Sequence, residues 1–539
     1  MARSTDASGA AEPQQLDLAA SRGGRRASAQ TMATRQRDIS VSEFFSRNRH
    51  LLGFDNPRRA LLTAVKEAVD NSLDACEEAG ILPRVRVEIA QTAEDRYTVA
   101  VEDNGPGIVK GQIPNIFGKL LYGSKFHRLK MSRGQQGIGI SAASMYGQLT
   151  TGKPTRVVSR TGPKRPAFYY EIQVNTTRNK PEIVRSDEIE WEAGRGTRVE
   201  IEMEARYLKG RQSVDEYLRQ TALANPHLRL EYRPPAGKEV VYENTTEELP
   251  PEPREVKPHP HGLELGVLMK MLQATQHRTL QGFLTQEFSR VSVRVAKEIC
   301  EKAEISPNAR PKSIAREESD RLFKAVGATK LMKPPTDSIA PIGEDLLRRS
   351  LEHNFTAAVY ASTTRPPAVY RGNPFLVEAA VAYGGDIPGE GPVQLLRFAN
   401  RVPLQYQQAA CAITKSLIEV DWRNYRVSQG AGSLPTGPLV VMVHLASVWV
   451  PFTSESKEAV AAYDQITKEI RLALQECGRR IGEHISRERK QAEAARKKNY
   501  IASYIGHIAG ALAEIAGDGD ARRRKVEDQL RDMLERSRS

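Results

Sequence analysis

Four short polar or glycine-rich motifs follow one another between residues 67 and 197 and constrain the fold more than any other feature. The first, KEAVDNSLDA, places Glu67, Asn71 and Asp74 at positions i, i+4 and i+7, which share one face of a helix. Glu67 suits a general base that activates water, and the side-chain oxygen of Asn71 suits Mg²⁺. Taken alone, the pattern fits a charged, solvent-exposed helix face equally well.

The second motif, VEDNGPGI, puts an acid at the end of a predicted strand and follows it with two glycines. A turn of this composition is common, so it is weak evidence on its own. In the functional interpretation, Asp103 accepts a hydrogen bond from the amino group of adenine. Gly105 and Gly107 then allow backbone atoms to approach the base closely.

The third motif, RGQQGIGIS, brings Gly134, Gly137 and Gly139 in front of a predicted helix. Glycines at such a place let successive backbone N–H groups converge on phosphate oxygens, with the helix N-terminus behind them. The fourth motif is Gly196–Thr197, immediately before a predicted strand. The sequence contains no GxxxxGK[ST] motif, which excludes a P-loop nucleotidase.

In this order, the four motifs resemble those of the GHKL, or Bergerat-fold, ATPases, which include gyrase B, mismatch-repair ATPases, a heat-shock chaperone and histidine kinases. The resemblance implies an α/β sandwich that binds ATP and Mg²⁺, with Gly196 and Thr197 lining the nucleotide pocket. A histidine kinase needs a phosphoacceptor histidine on a dimerisation helix before the ATP domain, and only His50 precedes Glu67. The kinase alternative is therefore disfavoured, whereas a chaperone or a mismatch-repair clamp stays open at this point.

Three longer stretches narrow the resemblance to the ATPase subunits of type IIB topoisomerases. Residues 43–75 resemble the start of that family's ATPase domain, residues 261–300 its helix-two-turns-helix insert, and residues 423–461 its transducer domain. The helical insert and the SKEA sequence in the third stretch argue against a chaperone or a mismatch-repair clamp. Intact motif residues argue against a non-catalytic DNA-bridging protein. Asp70 is a minor departure, because this family more often has glutamate there.

The resemblance assigns a role to each candidate residue. Glu67 is the catalytic base, Asn71 holds Mg²⁺, and Asp103 binds adenine. Lys457 reaches from the transducer to the γ-phosphate of ATP, so that hydrolysis releases the transducer. The alternative for Lys457 is an exposed lysine at the start of a helix predicted from about residue 457 to residue 493. The other nucleotide-binding candidates are Asp74, Gly105, Gly107 and Thr197, the lid residues Ser124 and Lys125, and Arg133, Gly134, Gln135, Gln136, Gly137, Ile138, Gly139 and Ile140 around the phosphates.

The chain has 539 residues, which is too many for a single hydrophobic core. Five prolines within residues 250–260 mark a linker and a domain boundary. The sequence therefore predicts an α+β multidomain protein. Its expected parts are a disordered tail (1–37), a GHKL ATPase domain (38–255), a helix-two-turns-helix domain (256–335), a ribosomal-S5-like α/β transducer with a long C-terminal helix (336–495) and a charged helical tail (496–539).

A net charge of +13 and a pI near 9.4 suit an anionic partner such as nucleic acid. Four cysteines without a CxxC pair argue against a zinc site and a disulfide framework, and they fit a reducing compartment. No apolar run approaches the roughly 20 residues that span a bilayer, and the N-terminus lacks the apolar core of a signal peptide. A cytoplasmic, nucleoid-associated protein without a membrane partner is expected.

Of the 17 tyrosines, none lies in a recognisable DNA-cleavage context. The resemblance implies that a topoisomerase VI A subunit supplies the cleavage tyrosine and its metal site, within an A2B2 heterotetramer. ATP would dimerise two B subunits through residues 38–54, and double-stranded DNA would be relaxed and decatenated. Basic residues of the helical insert suit DNA phosphates, but acidic residues lie among them and a solvated surface is favoured. These basic residues are Arg290, Arg294, Lys297, Arg310, Lys312 and Arg316.

Overall fold

A computed structural model of the chain contains two large sheets covered by helices, with a helical block between them along the sequence. The structure describes residues 29–34, 38–123, 128–134, 137–454, 456–515 and 520–536. The expected α+β multidomain class is confirmed. Across these described residues, no helix combines the length and the apolar character that crossing a bilayer requires.

The N-terminal sheet has eight strands. They are β1 Arg84–Ala93, β2 Arg96–Asp103, β3 Thr155–Arg160, β4 Ala167–Asn175, β5 Lys180–Ile189, β6 Gly196–Glu204, β7 Arg229–Arg233 and β8 Val240–Tyr242. Their order is β5-β4-β3-β6-β2-β1-β7-β8, and only the β1–β7 pair is parallel. The sequence pattern does not predict β5, because most of its side chains are exposed and it lacks the alternation of a half-buried strand.

Helix α3, Pro57–Glu78, is the element of this half that positions the candidate site. Asn56 caps it by accepting a hydrogen bond from Arg59 N at 2.9 Å, and Pro57 occupies its first turn. Leu61, Val65 and Leu73 are fully buried, each contributing about 1.5–3 kcal/mol to the packing against the sheet. The helices of this half are α1 Ala29–Ala33, α2 Val41–Arg47, α3 Pro57–Glu78, α4 Ile113–Gly118, α5 Gly139–Thr151 and α6 Val214–Ala224.

A separate helical block follows residues 248–259, which have no regular secondary structure. Leu268, Phe283, Ile299 and Leu322 form the centre of its own hydrophobic core. Short connecting segments separate the helices of this block. Those helices are α7 Leu265–Ala274, α8 Leu280–Glu287, α9 Val293–Ala303 and α10 Arg316–Ala328.

The second sheet is covered on both faces. Its strands are β9 Val359–Thr364, β10 Ala368–Tyr370, β11 Asn373–Tyr383, β12 Gln394–Ala399, β13 Val402–Pro403 and β16 Leu439–Ser447, with a small separate hairpin of β14 Ser428–Gln429 and β15 Pro435–Thr436. Its helices are α11 Glu344–Asn354, α12 Ala412–Glu419, α13 Asp464–Ile515 and α14 Asp520–Arg536. Strands β11 and β16 are nearly continuous apolar runs because helices pack on both sides of them.

The long helix differs from the sequence expectation at both ends. It was expected to start near residue 457, but α13 begins at Asp464, and the described residues 451–454 and 456–463 contain no helix. It then continues to Ile515, so a boundary between residues 495 and 496 falls inside one helix. Most of the expected disordered tail at residues 1–37 lies outside the described residues, although Ala29–Ala33 forms a short helix.

Candidate nucleotide site

A cavity of about 630 Å³ lies between α3, the glycine-rich segments and loops of the second sheet. This volume is typical of pockets for nucleotide-sized ligands. All four sequence motifs contribute to its wall, although they are far apart along the chain. The candidates that line it are Glu67, Asn71, Asp74, Asp103, Gly107, Gly134, Gly137, Ile138, Gly139, Ile140, Thr197 and Lys457. Ser124, Lys125, Gln135 and Gln136 lie outside the described residues.

Asp103 closes one end of the cavity, and three donors fix its carboxylate. Oδ1 accepts hydrogen bonds from Gly105 N at 2.9 Å and Thr197 N at 3.2 Å, while Oδ2 accepts one from Ser72 Oγ at 2.9 Å. Burial raises the pKa of Asp103, and these donors oppose the shift by favouring the charged form. Gly196 adopts a φ of 132°, and a Cβ there would lie 1.9 Å from the Asp103 carbonyl oxygen. The arrangement presents a fixed acceptor to an amino group.

Glu67, also in the cavity wall, meets the start of α5. A Cβ on Gly139 would lie 1.8 Å from Glu67 Oε2, so any larger residue at this position would displace the Glu67 carboxylate. Gly139 is the first residue of α5, and a helix N-terminus carries partial positive charge and free N–H groups. The carboxylate and an anion-binding helix end are therefore adjacent.

Asn71 lies one turn beyond Glu67 on α3. Its half-buried side chain lines the cavity, and no described protein group forms a hydrogen bond with it. Within the described ranges, no cluster of three or more histidine, cysteine, aspartate or glutamate residues is arranged to hold a metal. A side-chain oxygen supplemented by phosphate oxygens and water is the ligand set that Mg²⁺ prefers, so the residues fit this ion.

Arg133, expected around the phosphates, instead points away from the cavity. Its buried guanidinium donates to Asp74 Oδ1 at 2.9 Å, to Glu77 Oε1 at 2.6 Å and to Asn225 Oδ1 at 2.6 Å. Burial alone would raise the pKa of Glu77, but Arg133, together with His227 and Arg401, outweighs burial and holds that pKa well below its ordinary value. Asp74 also accepts from Gly134 N at 3.3 Å. Arg133 and Asp74 therefore anchor the base of the glycine loop to α3.

Lys457 enters the cavity from the second half of the chain. Its Nζ donates to the Arg133 carbonyl oxygen at 3.3 Å and lies 3.8 Å from Glu67 Oε1. The residue is only 5% exposed and lies in a loop before α13, which excludes the alternative of an exposed lysine at a helix start. The ammonium group of Lys457, from the second half of the chain, thus lies beside the Glu67 carboxylate of the first half.

Two family models match this chain. The model of histidine kinase-, DNA gyrase B- and HSP90-like ATPases matches residues 56–206, and the topoisomerase VI B subunit transducer model matches residues 334–497. The B subunit of type 2 DNA topoisomerase 6 from Methanococcoides burtonii is 49% identical over 487 residues, which cover 90% of this chain and 78% of the relative. The chain belongs to the family of type 2 DNA topoisomerase 6 B subunits.

Other members of this topoisomerase family are similarly related. The B subunit from Archaeoglobus fulgidus is 48% identical over 485 residues, which cover 90% of this chain and 80% of that protein. Among solved structures, the B-subunit of the DNA gyrase from Myxococcus xanthus matches with a TM-score of 0.40 and 11% identity, over 82% of this chain and 95% of that one. This last likeness is too remote to carry an argument.

Family membership confirms the expected resemblance and its function class. The chain is a GHKL-type, nucleotide-binding ATPase that serves as the B subunit of a type IIB DNA topoisomerase. The chaperone, mismatch-repair and histidine-kinase alternatives are thereby excluded.

Several residues of the cavity wall were not predicted as site residues. Ser72 is next to Asn71 in the first motif, so its contact with Asp103 could have been predicted from helical spacing. Lys66, Gln405 and Tyr406 also line the cavity. The last two come from the second sheet's loops, and only the packing of the two halves brings them to the site.

Proposed function

We propose that ATP bound in this cavity closes a dimer of the B subunit and so controls the passage of one DNA duplex through a break made by an A subunit. The observation that carries the proposal is Lys457, a transducer residue whose ammonium group lies 3.8 Å from Glu67 in the ATPase half. A cation at this place binds ATP more tightly than ADP, because only ATP has a terminal phosphate to meet it. Hydrolysis then frees the transducer to move.

The proposed chemistry uses residues of α3 and the glycine-rich segments. Glu67 accepts the proton of the water that attacks the γ-phosphorus, and ADP leaves as the bond to its β-phosphate oxygen breaks. Mg²⁺, held by Asn71, would neutralise charge on the phosphates. Asp103 accepts from the adenine amino group. The backbone of residues 134–140 surrounds the phosphates, and the lid residues Ser124 and Lys125 complete the site together with Gln135 and Gln136.

The proposed partners are an A subunit in an A2B2 heterotetramer, a second copy of this chain, and duplex DNA in the nucleoid. Exposed apolar residues on and near α2, including Val41, Phe44 and Leu51, support self-association through residues 38–54. The net charge of +13 supports an anionic partner. The six basic residues of the helical block that suit DNA phosphates are all exposed, and a solvated surface stays the alternative for them.

Supercoil relaxation tests this function directly. Purified chain, its A subunit, ATP and Mg²⁺ together are expected to relax and decatenate plasmid DNA, while omission of any one of them stops the reaction. DNA is expected to stimulate ATP hydrolysis by the complete assembly. If the chain hydrolyses ATP, ignores DNA and binds no A subunit, the proposed gating function is wrong while the ATPase assignment survives.

Asp103→Asn tests the adenine contact. An amide replaces one acceptor oxygen by a donor, which then faces donors from Ser72, Gly105 or the adenine amino group. Loss of a charged hydrogen bond costs about 1.5–3 kcal/mol, so the dissociation constants of ATP and ADP are both expected to rise by about 10- to 100-fold in calorimetry. Glu94 is exposed at the turn between β1 and β2, and Glu94→Gln serves as the control. A selective effect on ATP alone would contradict the adenine role.

A further inference from the structure

The loop that carries Lys457 is fastened to α3 by an arginine with no assigned role. We infer that Arg59 positions Lys457 for the γ-phosphate by holding its two neighbours, Ser456 and Glu458. We call Arg59, Ser456 and Glu458 the Arg59 clamp. The inference rests on the proposed contact of Lys457 with ATP, and it goes beyond that contact by naming what sets its geometry.

The contacts of the Arg59 clamp join the two halves of the molecule. Arg59 Nη2 donates to Ser456 Oγ at 3.1 Å and pairs with the Glu458 carboxylate, while Nη1 pairs with Asp55 at 2.8 Å. The side chains of Arg59 and Glu458 are only 17% and 6% exposed. A buried guanidinium that binds with several donors fixes direction as well as distance, which a lysine would not do.

Two further groups restrict the same loop. The Arg59 guanidinium lies 5.4 Å from the centre of the Tyr406 ring, so the aromatic face covers it. Lys66 donates to the Ser456 carbonyl oxygen at 3.4 Å, and burial lowers the pKa of this lysine. Ser456 is therefore held through both its side chain and its backbone. All of these contacts run to the helix that carries Glu67.

The backbone of Lys457 shows why such support is needed. Its φ of 52° lies in the left-handed region, which a lysine adopts only when surrounding contacts impose it. This conformation directs Nζ towards the Arg133 carbonyl oxygen and Glu67. Because both neighbours of Lys457 are attached to α3, the Arg59 clamp fixes where the ammonium stands relative to the catalytic carboxylate.

If Arg59 positions Lys457, a substitution in the Arg59 clamp changes nucleotide affinities differently than if Arg59 forms only a structural ion pair. A structural pair that stabilises the contact between the halves affects ATP and ADP alike. Positioning of Lys457 affects only the ligand that has a γ-phosphate. The effect of a clamp substitution should also vanish once Lys457 itself is removed, because its contribution acts through that residue.

The experiment is a double-mutant cycle on the full chain, with binding of adenylyl imidodiphosphate and of ADP measured by calorimetry with Mg²⁺. Arg59→Met is expected to weaken binding of the ATP analogue by about tenfold while ADP binding stays within about twofold. Lys457→Met should weaken the analogue at least as much. In the Lys457→Met background, Arg59→Met should cause no further loss. Arg348→Met, which breaks the exposed pair with Glu352, is the matched control and should leave both affinities unchanged.

The outcomes separate the two hypotheses. Equal weakening of both nucleotides by Arg59→Met, or full additivity with Lys457→Met, overturns the inference and leaves the role of Lys457 intact. No effect of Lys457→Met on the analogue instead refutes the proposed γ-phosphate contact, and the inference with it. If Arg59→Met does not fold, Ser456→Ala removes one clamp hydrogen bond at little structural cost, and the same criteria apply. Partial recovery with Arg59→Lys would further support positioning.

Discussion

Glu67→Gln is expected to lower kcat for ATP hydrolysis by about 10²- to 10⁴-fold while ATP still binds. The amide has the shape of the carboxylate but cannot accept the proton of the attacking water. The glutamine side chain is isosteric, so it retains the close packing against Gly139, where a Cβ on the glycine would lie 1.8 Å from Glu67 Oε2. Phosphate release under saturating ATP measures the loss, and calorimetry measures binding.

The neighbouring lysine determines what happens to affinity in this variant. Lys457 Nζ lies 3.8 Å from Glu67 Oε1, so under the proposed role of Lys457 this carboxylate competes with the γ-phosphate for the same ammonium group. Removing that negative charge also removes its repulsion of the phosphates. ATP affinity is therefore expected to be unchanged or higher, and dimers closed by ATP should persist because hydrolysis no longer opens them.

A matched control keeps this result interpretable. Glu192→Gln changes an exposed glutamate in the same domain and should leave kcat within about twofold. If Glu67→Gln retains kcat within about threefold of the wild type, another group activates the water, and the assignment of the general base is wrong.

Local spacing explains why much of the cavity was predictable. Glu67, Asn71 and Asp74 share a helix face by geometry alone, and the structure places all three at the cavity. Gly139 was predicted to let backbone N–H groups converge on phosphate, and the structure places it at the cavity. Its close approach to Glu67 was not part of that prediction. The strand predicted to end at Asp103 and the strand predicted after Gly196–Thr197 are present as β2 and β6, because the alternation of buried and exposed residues is a local property of a strand.

Contacts between distant segments were not predictable in this way. Arg133 lies in a glycine-rich loop. An arginine that binds phosphate and an arginine that pairs with buried carboxylates would have the same local sequence there, so the sequence could not distinguish the two roles. Its partner Asn225 is 92 residues away, and only the packing of α6 brings it close. Lys457 was expected from the resemblance, but its left-handed backbone and the Arg59 clamp depend on how the two halves meet.

Arg133→Met is expected to destabilise the ATPase half by about 3–5 kcal/mol. The methionine fills similar space but leaves Asp74 and Glu77 without the guanidinium that pairs with them at 2.9 Å and 2.6 Å. A buried charge that loses its partner costs far more than an exposed pair, because water cannot replace the lost interaction. His227, whose ring nitrogen lies 2.7 Å from Glu77, and Arg401 at 3.8 Å compensate only in part.

Hydrogen exchange of the α3 amides measures this loss locally, which suits a multidomain chain that does not unfold in one step. Exchange that requires opening of α3 should be faster by about two to three and a half orders of magnitude. Arg86→Met is the matched control: Arg86 pairs with Glu231 at 2.7 Å, but its side chain is 46% exposed, so a cost below about 1 kcal/mol is expected. Similar costs for the two variants would contradict the anchoring role of Arg133.

The pH dependence of stability gives an independent check, and the titration of Glu77 determines the direction of the expected change. In the wild type, Arg133 holds the pKa of Glu77 well below 4.5, so this carboxylate contributes stability that is present above about pH 4.5 and is lost as the pH falls towards the lowered pKa. Without Arg133, the strongest influence that lowers this pKa is gone while burial still raises it, so the pKa of Glu77 is higher than in the wild type. In the variant, Glu77 is then protonated at a higher pH, and protonation removes the cost of a charged carboxylate without its guanidinium partner. The stability gap between the two proteins should therefore narrow on acidification, whereas a gap caused by lost packing alone would not change with pH.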